Sequence, residues 1–224
     1  MKKVIFWDFD GTLVKPIERF ELALFEAMTS AGYKVEYGII KQYLRSVFPW
    51  LNYDKSYPNA TDKWWDRFLS SLSGLYESLG VKSDDRKTVS DRFRRSIAAS
   101  CNYELYEDAI ATLSECKRLG YENYILSNNF PELPYMLECL KIEKYFSGYV
   151  VSALVGYEKP RRELYDYALK LAGVSTAIMV GDNPVADIEG AKNAGLTAVL
   201  VHKDCPSVAD YTFGSLKELV AVLN

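Results

Sequence analysis

Acidic residues occur in two short clusters whose spacing suits phosphate or metal chemistry. Asp8 and Asp10 are two residues apart and are followed by Gly11, while Asp182 and Asp187 lie much later in the chain. Side chains two apart on a continuing strand share a face, and Gly11 allows the sharp turn that would direct both carboxylates into one pocket. One carboxylate of such a pair can act as a nucleophile while the other transfers protons.

A hydroxyl group and an ammonium group accompany these carboxylates. Ser127 ends an apolar run, and Lys159 precedes Pro160 in a segment that reads as a loop. Carboxylates gathered at one site repel one another, and a divalent cation would relieve that repulsion. Oxygen ligands of this kind favour Mg²⁺. The cation, Lys159, Ser127 and the backbone amides after Asp8 could then stabilise a phosphoryl group during its transfer.

These residues can meet only if the surrounding elements bring them to one edge of a sheet. Short apolar runs predict strands at 4–7, 122–127, 148–152, 177–180 and 197–201. Helical patterns cover about 106–119, a segment that opens at Pro131, 161–172, 184–194 and 215–223. This alternation predicts an α/β fold with a doubly wound, mostly parallel sheet, Rossmann-like and three-layered. Ligands of such sheets bind at the carboxyl ends of the strands.

The segment from about residue 15 to residue 100 has a different character. It contains no convincing strand run, and its helical patterns cover about 17–31, 36–48, 61–79 and 84–100. We therefore expect an α-helical domain at 15–100, inserted into a catalytic core formed by 1–14 and 101–224. The insert carries 14 Lys and Arg against 11 Asp and Glu, whereas the whole chain has a net charge of −3. A mildly basic insert beside an acidic core suits an anionic substrate.

The insert also contains the candidates for contact with the rest of a substrate. These are Arg19, Arg45, Trp50 and Tyr53. The alternative is that the tryptophans of the insert, at positions 50, 64 and 65, form its own small core and that its charges are solvated.

Composition and length exclude several classes of partner. The chain has 224 residues and a pI of about 5.4, so no basic field predicts nucleic-acid binding. The apolar run after Lys3 is shorter than that of a signal peptide, and no run approaches the roughly 20 apolar residues of a membrane span. We therefore expect a cytoplasmic protein without a nucleic-acid or membrane partner.

Other catalytic signatures do not occur in the sequence. No glycine precedes a lysine and no two glycines have GxG spacing, which excludes the P-loop and the dinucleotide fingerprint. The one histidine, His202, cannot form a histidine-rich metal site and is expected to be structural or exposed. The four cysteines have no CxxC spacing and are expected to have no catalytic function.

Four short motifs, in chain order, resemble those of the haloacid dehalogenase superfamily. They are Asp8-Phe9-Asp10-Gly11-Thr12-Leu13, Ser127-Asn128, Lys159-Pro160 and Gly181-Asp182-Asn183-Pro184-Val185-Ala186-Asp187. The motifs extend from the start of the chain almost to its end. The helical insert directly after the first motif resembles the small helical cap of that family.

The resemblance implies a function for each matching residue. Asp8 would be the nucleophile that forms an aspartyl-phosphate, and Asp10 would be the general acid and then the general base. Mg²⁺ would be held by Asp8, Asp10 through its carbonyl group, and Asp182. The implied substrate-binding residues are Ser127, Asn128 and Lys159, and the implied supporting residues are Thr12 and Asp187.

The resemblance also limits the reactions that we expect this protein to catalyse. The dehalogenase branch is expected to lack the second aspartate, so Asp10 favours phosphatases and phosphomutases. We expect a Mg²⁺-dependent phosphohydrolase that cleaves the phosphate monoester of a small metabolite and is a monomer or homodimer. A phosphomutase of the same superfamily is the first alternative. A catalytically weak protein that binds through its cap is the second, and the intact Asp8, Asp10, Lys159 and Asp182 argue against it.

Overall fold

The computed structural model describes residues 2–16, 18–48, 63–97, 99 and 103–223. These residues belong to two compact units, of which the first contains 2–16 and 103–223 and the second contains 18–48 and 63–99. The boundaries after residues 14 and 100 stay predictions. Trp50 and Tyr53 lie outside the described residues.

Within the described part of the first unit, six parallel strands form one sheet. They are β1 (Lys3–Trp7), β2 (Tyr121–Ser127), β3 (Phe146–Val151), β4 (Ile178–Gly181), β5 (Thr197–Val201) and β6 (Tyr211–Phe213). Their order is β3-β2-β1-β4-β5-β6. Trp7 of β1 pairs with Ile125 of β2 on one side and with Val180 of β4 on the other. The predicted doubly wound parallel sheet is confirmed, and its order changes direction at β1, where ligands of such sheets bind.

The helices of both units follow the predicted order with shorter bounds. The second unit contains α1 (Arg19–Thr29), α2 (Tyr37–Val47), α3 (Trp64–Ser71), α4 (Ser73–Ser78) and α5 (Ser83–Ile97). The first unit contains α6 (Ala109–Arg118), α7 (Leu133–Cys139), α8 (Ser152–Val155), α9 (Arg162–Ala172) and α10 (Gly190–Asn193). It also contains short 3₁₀ helices at Glu143–Tyr145 and Leu216–Val222 and a π-helical turn at Pro184–Glu189.

Several elements differ from the sequence predictions. The helix predicted at 61–79 is divided into α3 and α4 at Leu72, whose N–H bonds the carbonyl group three residues back, at Leu69. The helix predicted at 184–194 begins as a π-helical turn, and the one predicted at 215–223 is a 3₁₀ helix. Strand β6 was not predicted, because it is a three-residue edge strand without a buried alternating face.

Strand β1 is covered on both faces, which explains its continuous apolar run. Residues Val4 to Trp7 are all buried, as parallel strands in the middle of a sheet usually are. The bulky Trp7 is accommodated because its indole N–H donates to Asn123 Oδ1 on β2 at 2.9 Å. Because the buried indole N–H keeps a hydrogen bond, moving it out of water costs little free energy.

The second unit has an aromatic core of its own. Phe68 stacks on Trp64 at 5.2 Å between ring centroids and on Phe48 at 5.5 Å, and Phe20 meets Phe48 edge-on at 5.0 Å. Trp64 and Trp65 are 2% and 5% exposed. These two tryptophans therefore contribute to the core of the helical unit, as the alternative interpretation of the insert predicted. Arg19 is buried within this unit and Arg45 is exposed, and their contact with substrate stays a prediction.

Candidate active site

The chain leaves the sheet in a tight turn directly after β1. The Asp8 N–H still donates to Val180 O at 2.9 Å, so this residue is held at the end of the strand. The N–H groups of Leu13 and Val14 then both bond to Phe9 O, at 2.9 and 3.1 Å. The backbone after Asp8 is thus folded back on itself at the carboxyl edge of the sheet, as predicted for a loop that presents functional groups.

Gly11 is required in this turn for two separate reasons. Its φ of +79° is unfavourable for residues with a side chain, and a Cβ atom would lie 2.6 Å from Cγ of Asp182. The first and fourth motifs therefore approach each other more closely than any residue larger than glycine at position 11 would allow.

Replacing Gly11 with alanine is expected to lower kcat/KM at least about 100-fold, because the new methyl group displaces the Asp182 carboxylate. Gly195→Ala is a matched control, since Gly195 has a φ of +81° and would place its Cβ atom against nothing within 4 Å. Both variants should lose roughly 1 kcal/mol of stability from backbone strain, measured by denaturant unfolding. Equal activity in the two variants would contradict the steric explanation.

Lys159 lies at the centre of the buried charges. Its Nζ donates to Asp8 Oδ1 at 2.8 Å, to Asp187 Oδ1 at 2.5 Å and to Leu126 O at 2.9 Å, and its side chain is 1% exposed. Burial alone would lower the pKa of Lys159, but Asp187 and Asp8 outweigh it and raise the pKa above its usual range. Lys159 is therefore a permanent cation, with its three hydrogen bonds satisfied by two carboxylates and one carbonyl group.

The loop that carries Lys159 is held by the second motif. Asn128 Oδ1 accepts the Lys159 N–H at 2.7 Å, and Asn128 Nδ2 donates to Lys159 O at 2.9 Å. The side chain of Asn128 thus binds the backbone of the lysine loop from both sides. Its predicted function in substrate binding stays a prediction.

Asp187, the last residue of the fourth motif, is fully buried within the π-helical turn. Its Oδ2 accepts the N–H of Asn183 at 2.9 Å, while its Oδ1 accepts from Lys159. A Cβ atom on Gly181 would lie 2.2 Å from the Asp187 carboxyl group, so a glycine is needed there too. The π-helical turn brings the N–H groups of both Asp187 and Ile188 onto Asn183 O, and π-helical turns are frequent at functional sites.

Three carboxylates come together around this lysine. Oxygen atoms of Asp8, Asp182 and Asp187 all lie within 4.8 Å of one another. Burial raises the pKa of Asp8 to about 6, with Asp187 adding to the effect and Lys159 and the Ser127 hydroxyl opposing it. Burial and the neighbouring Asp8 likewise raise the pKa of Asp182. The two ammonium groups that pair with these carboxylates, buried Lys159 and the more exposed Lys203, do not offset all three negative charges.

This donor set fits a hard divalent cation. The three side chains offer only carboxylate oxygens, which are the ligands that Mg²⁺ prefers, and no sulfur or imidazole lies among them. The excess of negative charge gives such a cation an electrostatic reason to bind. Asp8 and Asp182 were predicted as metal ligands and lie in this cluster, whereas Asp187 was predicted only as a supporting residue.

Two further motif residues have reactive side chains near the end of the neighbouring strand, β2. Ser127 ends β2, is 1% exposed, and contributes a hydrogen bond to Asp8. Asp10 Oδ2 accepts a hydrogen bond from Asn129 Nδ2 at 2.7 Å. The Asp10 side chain is therefore directed towards the end of β2 and is separate from the three-carboxylate cluster.

The segment after β5 also contributes residues to this edge that the sequence analysis did not identify. Lys203 Nζ lies 2.7 Å from Asp182 Oδ2. His202 Nε2 lies 3.1 Å from Thr12 O, and its ring stacks on Tyr106 with centroids 3.7 Å apart. The expected structural function of His202 fits this contact. The strand-end rule that found Asp182 would also have found Lys203, because it follows β5 by two residues.

Thr12 was predicted as a supporting residue of the first motif. It is fully buried, and its Oγ1 has no hydrogen-bond partner within the described part of the chain. Its carbonyl oxygen contacts His202, as described above. Its supporting function stays a prediction.

Comparisons with known proteins agree with the four motifs. A family model for haloacid dehalogenase-like hydrolases matches residues 2–195. The chain is 27% identical to a phosphoserine phosphatase of Thermus thermophilus over 97% of both chains, and 28% identical to a glyceraldehyde 3-phosphate phosphatase of Pyrococcus abyssi over 89% of this chain and 81% of that one. These relatives confirm the predicted enzyme class, a phosphatase of this superfamily.

Solved structures agree on the fold. The HAD-hydrolase YfnB of Bacillus subtilis, whose structure was determined bound to magnesium, aligns with a TM-score of 0.78 and 21% identity over 100% of this chain and 99% of that one. No helix of the described residues is long and apolar enough to cross a membrane. With the family model covering most of its length and all four motifs at one sheet edge, the chain belongs to the haloacid dehalogenase-like hydrolases.

Proposed function

We propose that this chain is a Mg²⁺-dependent phosphatase that hydrolyses small phosphate monoesters by transferring the phosphoryl group to Asp8. The observation that carries the proposal is the position of Asp8: a buried carboxylate at a strand end, 2.8 Å from a buried lysine and within 4.8 Å of two further carboxylates. The site thus places a nucleophile, an ammonium group and a set of oxygen ligands together.

Asp8 is suited to attack phosphorus. Its Oδ1 is held by Lys159, and its N–H bond to Val180 O fixes the backbone, so the carboxylate has one orientation. A fixed and desolvated nucleophile loses little entropy on reaching the transition state. Since the pKa of Asp8 is raised only to about 6, the side chain is mainly ionised near neutral pH. It can therefore form the bond to phosphorus without a separate base.

Charge on the phosphoryl group is stabilised by groups that are in place before the substrate arrives. Lys159 is permanently charged and buried, and the Ser127 hydroxyl lies beside Asp8. Preorganised donors in a water-poor site stabilise developing charge far better than solvent does. When bound by Asp8 and Asp182, together with the Asp10 carbonyl group, Mg²⁺ would supply a Lewis acid that neutralises the phosphoryl oxygens.

Asp10 is placed to transfer protons. It follows Asp8 by two residues, its carboxylate is separate from the three-carboxylate cluster, and it is partly exposed. In the first step Asp10 donates a proton to the leaving alcohol, and in the second it accepts one from the water that attacks the aspartyl-phosphate. Both steps use the same carboxyl group in opposite protonation states.

The substrate is proposed to be a small phosphorylated metabolite. Both curated relatives named above act, by their names, on such compounds, phosphoserine and glyceraldehyde 3-phosphate. We further propose that the helical second unit acts as a cap that excludes bulkier esters. A panel of phosphorylated metabolites, assayed for phosphate release, would identify the substrate class.

Removing divalent metal is expected to abolish hydrolysis. After treatment with a chelator the protein should release no phosphate from 4-nitrophenyl phosphate, and added Mg²⁺ should restore turnover, because the buried carboxylates then lack their counter-charge. Mg²⁺ should also raise the melting temperature, since a ligand at about 100 times its Kd stabilises a protein by about 2.7 kcal/mol. Asp182→Asn should weaken both the restoration of turnover by Mg²⁺ and the rise in melting temperature. Full activity in the chelator, or a specific need for Zn²⁺, would contradict the proposed site.

A further inference from the structure

Asn129 contacts the proposed proton-transfer residue directly. Its Nδ2 donates to Asp10 Oδ2 at 2.7 Å and to Ser127 Oγ at 3.5 Å, and the residue is 2% exposed. Asn129 lies one position beyond the second motif, and none of the functions described above depends on it. A buried amide that bonds a reactive carboxylate has a defined orientation and therefore a defined effect on that carboxylate.

The orientation of the Asn129 amide follows from its neighbours. The Phe130 N–H donates to Asn129 Oδ1 at 3.0 Å, so the oxygen faces Phe130 and the NH₂ group must face Asp10. The backbone is held as well, because the Asn129 N–H donates to Ser152 Oγ at 3.1 Å and Asn129 O accepts the Ala153 N–H at 3.3 Å. Turning the amide would break a buried hydrogen bond and leave a donor unsatisfied.

We propose that Asn129 is a positioning residue that fixes the Asp10 carboxyl group and determines which of its oxygens carries the transferred proton. This inference rests on the proposed function. An N–H donor prefers the carbonyl oxygen of a carboxylic acid, so the bond from Asn129 to Oδ2 leaves Oδ1 as the hydroxyl oxygen. Asn129 thereby directs the acidic proton away from the end of β2.

The two steps of the reaction use this arrangement in opposite directions. As the bond from phosphorus to the ester oxygen breaks and that to Asp8 forms, the proton on Asp10 Oδ1 moves to the ester oxygen, giving a neutral alcohol and an Asp10 carboxylate. Water then forms a bond to phosphorus as the bond to Asp8 breaks, and a water proton returns to Asp10 Oδ1. Asn129 keeps its bond to Oδ2 throughout and exchanges no proton.

The proposal is tested by comparing two substrates whose leaving groups differ in their need for a proton. An alkoxide is a poor leaving group and must be protonated as it departs, whereas 4-nitrophenolate leaves without a proton. Since kcat/KM includes only the steps up to the transfer to Asp8, the ratio of kcat/KM for an alkyl and an aryl phosphate reports how well Asp10 is positioned. The ratio is measured on one enzyme sample, so the fraction of folded protein cancels.

In Asn129→Ala and Asn129→Leu, both of which lose the donor, kcat/KM for glycerol 2-phosphate is expected to fall about 10- to 100-fold. For 4-nitrophenyl phosphate it should fall less than about threefold. Asn129→Leu keeps about the volume of the side chain and adds neither a charge nor a donor, which separates the lost donor from lost packing. Asn123→Ala is the control, because Asn123 is a buried amide on β2, the strand that precedes Asn129, and bonds Trp7 and Leu113 instead.

The control variant should have a lower melting temperature and an unchanged ratio. An unchanged ratio in both Asn129 variants, or an equal change in Asn123→Ala, would overturn the proposal. Failure of the proposed function would instead appear in the unmutated protein, as no Mg²⁺-dependent hydrolysis of either ester, and would overturn this inference with it. A selective loss of the alkyl ester in the Asn129 variants alone supports it.

Discussion

Asp8→Asn is expected to lower kcat for phosphate esters by on the order of 10⁴-fold or more, with the fold intact. The amide oxygen is a far weaker nucleophile than a carboxylate, and nothing else in the site replaces it. The measurement is Mg²⁺-dependent release of 4-nitrophenol. Asp108→Asn, which changes an aspartate of the same unit near the start of α6, should keep full turnover. Substantial activity in Asp8→Asn would rule out Asp8 as the nucleophile.

The same substitution is expected to stabilise the metal-free protein near pH 7. Burial raises the pKa of Asp8 from 3.8 to about 6, so the folded state favours the protonated form. Stability of the parent protein should therefore fall as the pH rises from about 4 to about 6, by up to about 3 kcal/mol. Asp8→Asn has no carboxyl group at this position and does not undergo this loss. It should therefore be more stable than the parent protein near pH 7 but not near pH 4. Chemical unfolding in the presence of a chelator, at pH 4 and at pH 7, measures the difference in the free energy of unfolding between the two proteins.

Lys159→Met is expected to remove activity and also to destabilise the fold by about 3–5 kcal/mol near pH 7. The lysine is the shared partner of Asp8 and Asp187, at 2.8 and 2.5 Å, so its loss leaves two buried carboxylates without a cation. Because protonation relieves that repulsion, the destabilisation should diminish as the pH is lowered through the raised pKa of Asp8.

Lys203→Met provides the comparison for this prediction. Lys203 also pairs with a site carboxylate, Asp182 at 2.7 Å, but its side chain is 46% exposed. Solvent screens such a pair, so its loss should cost about 1 kcal/mol or less. Equal unfolding midpoints for Lys159→Met and the parent protein would show that the buried pairs contribute nothing to stability.

The sequence predicted the arrangement of this site because it follows a simple rule of parallel sheets. Asp8, Ser127 and Asp182 each follow or end an apolar run, and the carboxyl ends of parallel strands share an edge. Lys159 was grouped with them as a residue of the loop after the third strand, and in the structure it follows the short helix α8. Asp187, which the resemblance implied as a supporting residue, contacts Lys159 at 2.5 Å.

Asn129 could not be assigned in the same way. Asn129 is adjacent to Asn128, yet the two amides point to different partners, Asp10 and the Lys159 backbone. That difference depends on the backbone course after β2, which no spacing rule gives. The π-helical turn at Pro184–Glu189 was missed for a related reason, because its side-chain periodicity over six residues resembles that of an α-helix.

The central claim is that the phosphoryl group passes through Asp8, and chemical trapping tests it most directly. The protein is mixed with Mg²⁺ and substrate, quenched with acid during turnover, and reduced with borohydride, which converts an aspartyl-phosphate to homoserine. Mass spectrometry of the peptide that contains Asp8 should find homoserine at position 8 only when substrate was present. Unmodified aspartate at position 8 in an enzyme that turns over, or a phosphoryl group on another residue, would contradict the account.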